Sequence, residues 1–386
     1  MKKTLLFLIA FIITFSIAAQ KAKEKIPVQS ATKQGLFKLA RKIRPDFYIG
    51  SYSGLSPTGS DNEQLKEIFK ENFNIMVIGI YMSGTQRDEG KYNFDAIDYQ
   101  LDFAKANNIK VYFHPMIGGE VYCPDWINKG TWTKEQLEKI MRDRITTILT
   151  RYAGRIHYVD VVNEAMGRGE MTSDGQFDWT GVNRGHVWMQ TMGWYQGEKY
   201  KFPQYLVDAF KISRETGGKD IRLVLNEYNN GTTKSPRGNT FLALIKAMKE
   251  EGIPVDDAGI QLHCRIINGK FYEWGKNEFD FDAFSEMLKK YEDAGINVHI
   301  TEFDIHLPVN PTQADFELQG KCYAEILKRA IQSTAVKTFK TWGFTDKHSW
   351  KADGVDGHPL LLDEQFRPKP AYIQQISMLK SLKKIR

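Results

Sequence analysis

Short apolar runs alternate along the chain with longer segments in which apolar residues recur every three or four positions. The short runs, rich in β-branched and aromatic residues, predict buried strands, and the longer segments predict amphipathic helices. The predicted strands are 47–50, 74–81, 110–115, 159–163, 221–226, 258–263, 298–302 and 339–344. The predicted helices are 35–43, 61–73, 94–107, 133–152, 205–216, 241–251, 282–294, 313–333 and 372–382.

The alternation of strands with helices predicts an α/β fold with a parallel sheet. Eight such units predict closure into a (β/α)8 TIM barrel that occupies residues 35–386 as one domain. The interval 166–200 departs from this rhythm, because it is rich in Gly, Trp and polar residues. It predicts an elaborated loop after strand 4 on the active face. A small inserted subdomain is the alternative.

The N-terminus has the pattern of a targeting segment. Lys2 and Lys3 precede an apolar run over 5–17, and Ala18 and Ala19 follow it. This pattern predicts a secretory signal peptide over 1–19, and the run is too short for a transmembrane span. Residues 20–34 read as a polar leader, and no cysteine follows the run to carry a lipid anchor. We therefore expect a secreted or periplasmic protein without a membrane anchor.

Composition narrows the function classes. The 386 residues are 42% hydrophobic and 26% charged, as in ordinary globular proteins. A net charge of +6 without a run of Lys or Arg argues against nucleic-acid binding. The widely spaced Cys123, Cys264 and Cys322 favour buried small side chains over a metal cluster, although one pair could form a disulfide. No P-loop, dinucleotide-binding or zinc motif is present, so we expect no cofactor and no metal.

Two of the predicted strands deliver a glutamate at their carboxyl ends. VDVVNEA (159–165) carries Glu164, and VHITEFDI (298–305) carries Glu302. The carboxyl ends of the strands form the working face of a TIM barrel. Two carboxyl groups that converge there suit glycoside hydrolysis, in which one donates a proton to the leaving oxygen and the other attacks the anomeric carbon.

Several motifs, taken in order, resemble glycoside hydrolase family 10, the endo-β-1,4-xylanases and their relatives. The resemblance runs from the first strand to the C-terminus. It rests on EGKYNF (89–94), DVVNEA (160–165), IQLH (260–263), ITEFDI (300–305), WGFTDKHSW (342–350) and PLLLDEQFRPKPAY (359–372). The resemblance implies a retaining β-glycanase that acts on xylan or on xylan-derived or decorated oligosaccharides by double displacement.

The resemblance also implies residue roles. Glu164 would be the general acid/base and Glu302 the nucleophile. Asn163 would bind the sugar 2-hydroxyl, Gln261 would line the site, and His263 would hydrogen-bond the nucleophile.

Further residues are implied as substrate contacts. Trp342 and Trp350 would wall the sugar at the cleavage point, and His114 and Tyr228 are candidates for further contacts. Core roles stay open for His114, His263 and Trp342, since each follows or lies on a buried strand. Trp126 is read as structural.

Two stretches depart from the family pattern. The Glu-Asn-Glu-Met-Lys run that usually follows the second strand is replaced by residues 79–83, GIYMS. The His-Thr-Leu-Val-Trp-His run after the third strand becomes 114–119, HPMIGG. Contacts to sugars on the non-reducing side of the cleaved bond are therefore lost, and Tyr81, Tyr112, Tyr122 or the long loop after Glu164 could replace them. We expect low activity on linear xylan and selectivity for a substituted glycan or a chain end.

Two alternatives remain open at this point. The same mechanism could act on a different β-linked glycan or at a chain end. The second alternative is a protein of another functional class, a barrel that binds carbohydrate without catalysis. The presence of both glutamates, Asn163 and His263 argues against it. The expected partner is a polysaccharide or oligosaccharide, bound by a monomer.

Overall fold

Eight parallel strands close into a barrel. The computed structural model describes residues 35–167, 169–180, 186–274, 278–350 and 357–385. The barrel strands are β1 (Tyr48–Tyr52), β2 (Ile75–Gly79), β3 (Lys110–His114), β4 (Tyr158–Asn163), β5 (Arg222–Glu227), β6 (Asp257–Ile260), β7 (Val298–His306) and β8 (Val336–Thr341). Each strand pairs with the next, and β8 pairs with β1 to complete the ring. The predicted (β/α)8 barrel is confirmed.

Helices surround the barrel in the predicted order. They are α1 (Leu36–Ile43), α2 (Asn62–Asn72), α3 (Asp95–Ala106), α4 (Lys134–Arg151), α5 (Gln204–Gly217), α6 (Pro236–Glu250), α7 (Phe281–Asp293), α8 (Gln313–Gln332) and α9 (Pro370–Ser381). Thr133 caps α4 in a reciprocal pair of hydrogen bonds with Gln136. α1 packs against α9, which brings the two ends of the described chain together.

Some element boundaries differ from the prediction. The strand expected over 258–263 ends at Ile260, and Leu262 is left-handed with φ 63°. A hairpin of His263–Ile267 and Lys270–Glu273 follows and pairs with the outer half of β7. β7 itself runs on to His306, whereas the prediction ended it at residue 302. α6 begins five residues earlier than predicted, because Ser235 caps it and Pro236 occupies its first turn.

The last strand was predicted too late in the chain. The prediction gave 339–344, whereas β8 spans Val336–Thr341. Trp342 therefore lies just beyond the strand rather than on it. Residues 342–344 were included in the predicted strand because they are apolar. A buried loop can be as apolar as a strand, so this pattern does not mark where the strand ends.

The interval after β4 contains regular structure. Its described part includes the short helix Val187–Met192 and a hairpin of Trp194–Gln196 and Lys201–Pro203. The Glu251 carboxylate accepts three backbone N–H bonds from the hairpin tip, from residues 198, 199 and 200. The predicted departure from strand–helix alternation is present, but much of it is a compact insertion rather than an irregular loop.

The structure tests some of the remaining sequence predictions and leaves others untested. All three cysteines are buried and unpaired, which confirms the preferred reading. The predicted signal peptide and leader lie outside the described residues. Within the described ranges, no helix combines the length and apolar character needed to cross a membrane.

A connected set of polar side chains occupies the buried interior of the barrel. His299 lies 3.1 Å from Asp257 and 3.0 Å from Thr338. Lys340 donates to Thr338 at 2.6 Å and lies 3.8 Å from the ring centroid of Tyr112. Burial lowers the pKa of Lys340 to about 7, against partial compensation from the charges of Asp160 and Glu302.

We predict that replacing Lys340 with Met changes how stability depends on pH. The folded protein releases the Lys340 proton near pH 7, whereas the unfolded chain holds it to about 10.5. Between these values the unfolded state binds more protons, so this lysine makes the free energy of unfolding rise with pH by up to about 1.4 kcal/mol per pH unit. The Lys340→Met variant lacks this contribution. Urea unfolding of both proteins across this pH range measures the difference.

Lys337→Met is the matched control, because Lys337 is on the same strand but only half-buried, with its ammonium on an exposed carbonyl. It should keep the wild-type pH dependence. Identical pH dependence in the Lys340→Met variant and the wild type would contradict the prediction.

Candidate active site

Glu164 lies immediately after β4 and is held by several hydrogen bonds. Its backbone is left-handed, with φ 60°, which costs a non-glycine residue about 1–2 kcal/mol. Three donors converge on Oε1: the Tyr122 hydroxyl at 3.0 Å, Gln261 Nε2 at 3.0 Å and Asn163 Nδ2 at 3.2 Å. No residue in the described part of the chain donates to Oε2. Oε2 is therefore the oxygen free to carry a proton towards a ligand.

Glu302 lies at a bulge in β7. Ile300 pairs with Phe339, but Phe303 pairs with Thr341, so one extra residue is accommodated on β7 between these pairs. A bulge of this kind changes the direction of a side chain and often occurs beside a functional site. Glu302 is 4% exposed. Its Oε1 accepts a bond from Asn226 Nδ2 at 2.7 Å.

Amide side chains join the two carboxyl groups into one network. Asn163 Oδ1 accepts from Asn226 Nδ2 at 2.9 Å and from Gln261 Nε2 at 3.2 Å. The same two donors also bind Glu302 and Glu164 respectively. The ends of β4 and β7 thus converge as the sequence predicts, Asn226 of β5 and Gln261 after β6 join them, and Asn163 lies between the glutamates.

The surroundings of Glu302 favour its ionised form. Burial by itself raises the pKa of the Glu302 carboxyl, but the net shift is downward. The charge of His114 and hydrogen bonds from His263 and Asn226 stabilise the carboxylate. A group with these properties is suited to act as a nucleophile rather than as a proton donor.

His263 is the proton-bearing partner of Glu302. Its Nε2 lies 3.2 Å from Glu302 Oε2, and its Nδ1 lies 2.9 Å from Asp304 Oδ1. Burial opposes protonation of His263, but the Asp304 and Glu302 carboxylates outweigh it and raise its pKa to about 10. Trp350 Nε1 donates to the other Asp304 oxygen at 2.7 Å. Asp304 therefore joins the predicted histidine to one of the predicted tryptophans.

The two predicted tryptophans form part of an aromatic wall. Trp342 is half-buried, with its ring centroid 5.0 Å from that of His114 and 5.3 Å from that of Tyr52. Trp350 is also half-buried, and its ring packs against His263 at 5.1 Å. Both rings thus border the two histidines that face Glu302.

His114 lies deeper than a typical ligand-contact residue, since it is 1% exposed. Its Nδ1 lies 2.7 Å from Asp160 and 3.8 Å from Glu302 Oε1. Asp160 also accepts a 2.5 Å bond from the Tyr112 hydroxyl. His114 therefore links the carboxylate site to the polar interior of the barrel.

Tyr228 is half-buried beside a third carboxylate, Glu227. Glu227 is fully buried, pairs with Arg237, and accepts the backbone N–H of Met166 at 2.9 Å. Burial raises the pKa of Glu227 to about 7. Arg237 also donates to the carbonyls of Met166 and Gly167. This pair holds the chain directly after Glu164, and the Arg237 guanidinium lies 4.1 Å from the Tyr228 ring centroid.

The site also contains residues to which the sequence analysis gave no role. Asn226 and Glu227 end β5 in the same way that Asn163 and Glu164 end β4, so the same signal, a polar pair after a buried strand, was available. Tyr122 was considered only as a replacement sugar contact. Its place in the 3-10 turn Glu120–Tyr122 gives no sequence pattern that would predict a bond to Glu164.

A closed (β/α)8 barrel with two glutamates joined by amides at its carboxyl end defines a glycoside hydrolase. The family model for glycosyl hydrolase family 10 matches residues 38–378. The chain belongs to this family.

Relatives and solved structures agree with this assignment. Endo-1,4-beta-xylanase B of Thermotoga neapolitana is 29% identical over 319 residues, which cover 81% of this chain and 82% of that protein. Xylanase 10B of Thermotoga petrophila, solved with xylobiose, is 30% identical with a TM-score of 0.74, covering 90% of this chain and 97% of its own. Xylanase 10B of Thermotoga maritima is 29% identical with a TM-score of 0.75, covering 90% and 98%.

We predict that Tyr122→Phe lowers kcat/KM by about tenfold. The Tyr122 hydroxyl donates to Glu164 Oε1 at 3.0 Å and so helps to hold the carboxyl group in one orientation. Without this hydrogen bond, Glu164 is less well oriented for proton transfer, and a loss of about tenfold is the size expected for one hydrogen bond to such a group. Steady-state kinetics on a β-glycoside measure the effect.

Tyr195→Phe is the control, because Tyr195 lies on the hairpin and makes no bond to either glutamate. It should leave kcat/KM unchanged. A wild-type kcat/KM in Tyr122→Phe would show that this hydrogen bond is not made in the working enzyme.

Proposed function

We propose that this protein is a secreted retaining β-glycanase that hydrolyses β-1,4-xylosidic linkages in xylan or in xylan-derived or decorated oligosaccharides. The observation that carries the proposal is the unequal treatment of two carboxyl groups in one network. Both oxygens of Glu302 are held by donors, from Asn226 and His263, whereas no donor within the described ranges reaches Glu164 Oε2. The similarity to several endo-1,4-β-xylanases supports xylan as the substrate class.

The proposed reaction proceeds by double displacement. Glu302 attacks the anomeric carbon while Glu164 gives the proton on Oε2 to the leaving glycosidic oxygen, so the C–O bond breaks and a glycosyl ester forms. Glu164, now ionised, then takes a proton from a water molecule. That water attacks the ester carbon and restores Glu302. The roles of the two residues follow from their surroundings, since His263 and His114 favour charge on Glu302.

Binding residues complete the proposal. Asn163 and Gln261 present amide groups beside both glutamates, where a sugar 2-hydroxyl would lie. Trp342 and Trp350 offer ring faces to the apolar face of a pyranose. Tyr228, which packs against Arg237, is the proposed contact for the leaving sugar. Export is proposed from the sequence of residues 1–19 alone, with its two lysines, apolar run and small residues.

We predict that Glu302→Ala abolishes hydrolysis of both xylan and an activated aryl xyloside. Glu164→Ala should also lose activity on xylan, by about 10²–10⁴-fold, the usual contribution of a general acid. It should retain formation of the glycosyl-enzyme from the aryl xyloside, because a good leaving group needs little protonation. Initial rates on both substrates, with thermal unfolding as a check on folding, measure this.

Glu63→Ala is the matched control, because Glu63 is an exposed glutamate on α2 whose ion-pair partner among the described residues is Lys66. It should behave as wild type. Near-normal rates on xylan in both Glu164→Ala and Glu302→Ala would overturn the assignment.

We predict that the configuration at the anomeric carbon is retained. Two successive inversions at the same carbon return a β-linked substrate to a β product. Proton NMR of the first-formed product, recorded before mutarotation, should show the β-anomer. An initial α-anomer would mean that water attacks directly and that Glu302 forms no ester.

A further inference from the structure

A cavity of about 570 Å³ lies beside the candidate active site, between the end of β2 and the start of α3. Its lining includes Gly79, Tyr81, Gly84, Arg87 and Lys91. The volume is within the range of about 300–1,000 Å³ that ligand pockets occupy. It lies where the family's usual polar run after the second strand is absent from this sequence.

Tyr81 is shared between the cavity and the catalytic residues. Its ring stacks on that of Tyr122, with centroids 5.7 Å apart and planes at 13°. Tyr122 in turn donates to Glu164. A ligand that fills the cavity therefore touches the side chain next to the acid/base candidate. This places the cavity on the flank of the cleft rather than on a remote surface.

The walls of the cavity are fixed by buried contacts. Arg144 on α4 is fully buried and donates to Thr85 Oγ1 at 3.1 Å, to Met116 O at 2.9 Å and to the carbonyl of Ile80. Trp126 Nε1 donates to the Gln86 carbonyl at 3.0 Å, which agrees with its structural reading. The segment that carries the cavity-lining residues is thus held at both ends of its short helix.

Glycine accounts for the open space. A Cβ atom at Gly79 would lie 2.8 Å from the Tyr81 ring, so this ring occupies the position that a side chain would otherwise fill. A Cβ atom at Gly84, in the short helix Met82–Thr85, would meet no atom within 4 Å. A large side chain at residue 84 can therefore enter the cavity without displacing the backbone.

The charged residues of the cavity favour an anion. Lys91 Nζ lies 3.8 Å from Asp88, a long and exposed pair. Arg87, exposed at the rim, forms no ion pair with any residue in the described ranges. The lining therefore carries the positive charges of Arg87 and Lys91 and the negative charge of Asp88. Its net charge is positive, and the Arg87 guanidinium has no ion-pair partner in the described ranges. A guanidinium binds a carboxylate through two parallel hydrogen bonds and so recognises its shape as well as its charge.

We propose that this cavity binds a uronic acid branch carried by the xylan backbone, with the branch carboxylate on Arg87 and Lys91. The proposal rests on the proposed xylanase function and names the form of the substrate. Tyr81 and Asn93, which also line the cavity, contact the branch sugar. The cavity begins at the end of β2, where the replaced run would have contacted sugars on the non-reducing side of the cleaved bond. The branched backbone sugar therefore lies on that side.

The test compares three xylo-oligosaccharides of equal backbone length: unbranched, with a neutral arabinosyl branch, and with a glucuronosyl branch. Wild type should have the highest kcat/KM on the glucuronosyl substrate, and added salt should weaken this preference. Mass spectrometry should find the branch on the non-reducing-side fragment. Equal rates on the two branched substrates, or a branch found only on the leaving fragment, would overturn the inference.

Variants assign the preference to the cavity. Arg87→Gln with Lys91→Gln should lower kcat/KM on the glucuronosyl substrate by about tenfold or more, the loss expected for charge-assisted hydrogen bonds. Gly84→Trp should block the branch sterically and give the same selective loss. Neither change should alter cleavage of the unbranched substrate. A preference that survives both changes would overturn the proposal.

Lys105→Gln is the matched control, since Lys105 is an exposed cation in the last turn of α3, at the opposite end of that helix from the cavity. It should change none of the three rates. Failure of the proposed function would look different, because wild type would then cleave none of the three substrates. Cleavage of all three substrates at equal rates would contradict the branch site and leave the proposed xylanase function standing.

Discussion

The direction of both glutamates depends on a small set of side-chain amides. Asn226 Nδ2 donates to Asn163 and to Glu302, and its Oδ1 accepts from Thr301 at 2.8 Å. An amide whose two ends are both engaged has one orientation, and so do the groups it binds. The left-handed backbone of Glu164 and the bulge at Glu302 are local costs that this network offsets. Pre-organised groups of this kind need little rearrangement when charge develops in a reaction.

The sequence predicted the barrel and the convergence of Glu164 and Glu302, because strand periodicity and strand-end position are local signals. It did not predict the left-handed Leu262, which ends β6 early, since a leucine carries no signal for positive φ. Nor did it predict the role of Tyr122, which depends on how a short turn packs against β4. Residues brought together by loops are determined by tertiary contacts that no periodicity encodes.

A connected series of buried polar side chains lies in the barrel interior below the candidate active site. It leads from Asp257 through His299, Thr338 and Lys340 to the ring of Tyr112, and then through Asp160 and His114 to Glu302. Burying polar groups lowers the free energy of unfolding unless their hydrogen bonds are made. The polar interior therefore costs stability, but it sets the electric field beneath Glu302, the nucleophile candidate. The barrel's core is therefore more than a support for the loops.

The three separate thiols have a consequence for how the protein is made. Burial raises the pKa of Cys123 to about 11 and of Cys322 to about 12, and also raises that of Cys264. Because the thiolate is the reactive form, the folded protein resists oxidation. An unfolded chain has no such protection, and an odd number of thiols cannot all pair within it. In an oxidising compartment, folding would therefore have to be faster than oxidation, or the leftover thiol would link two chains.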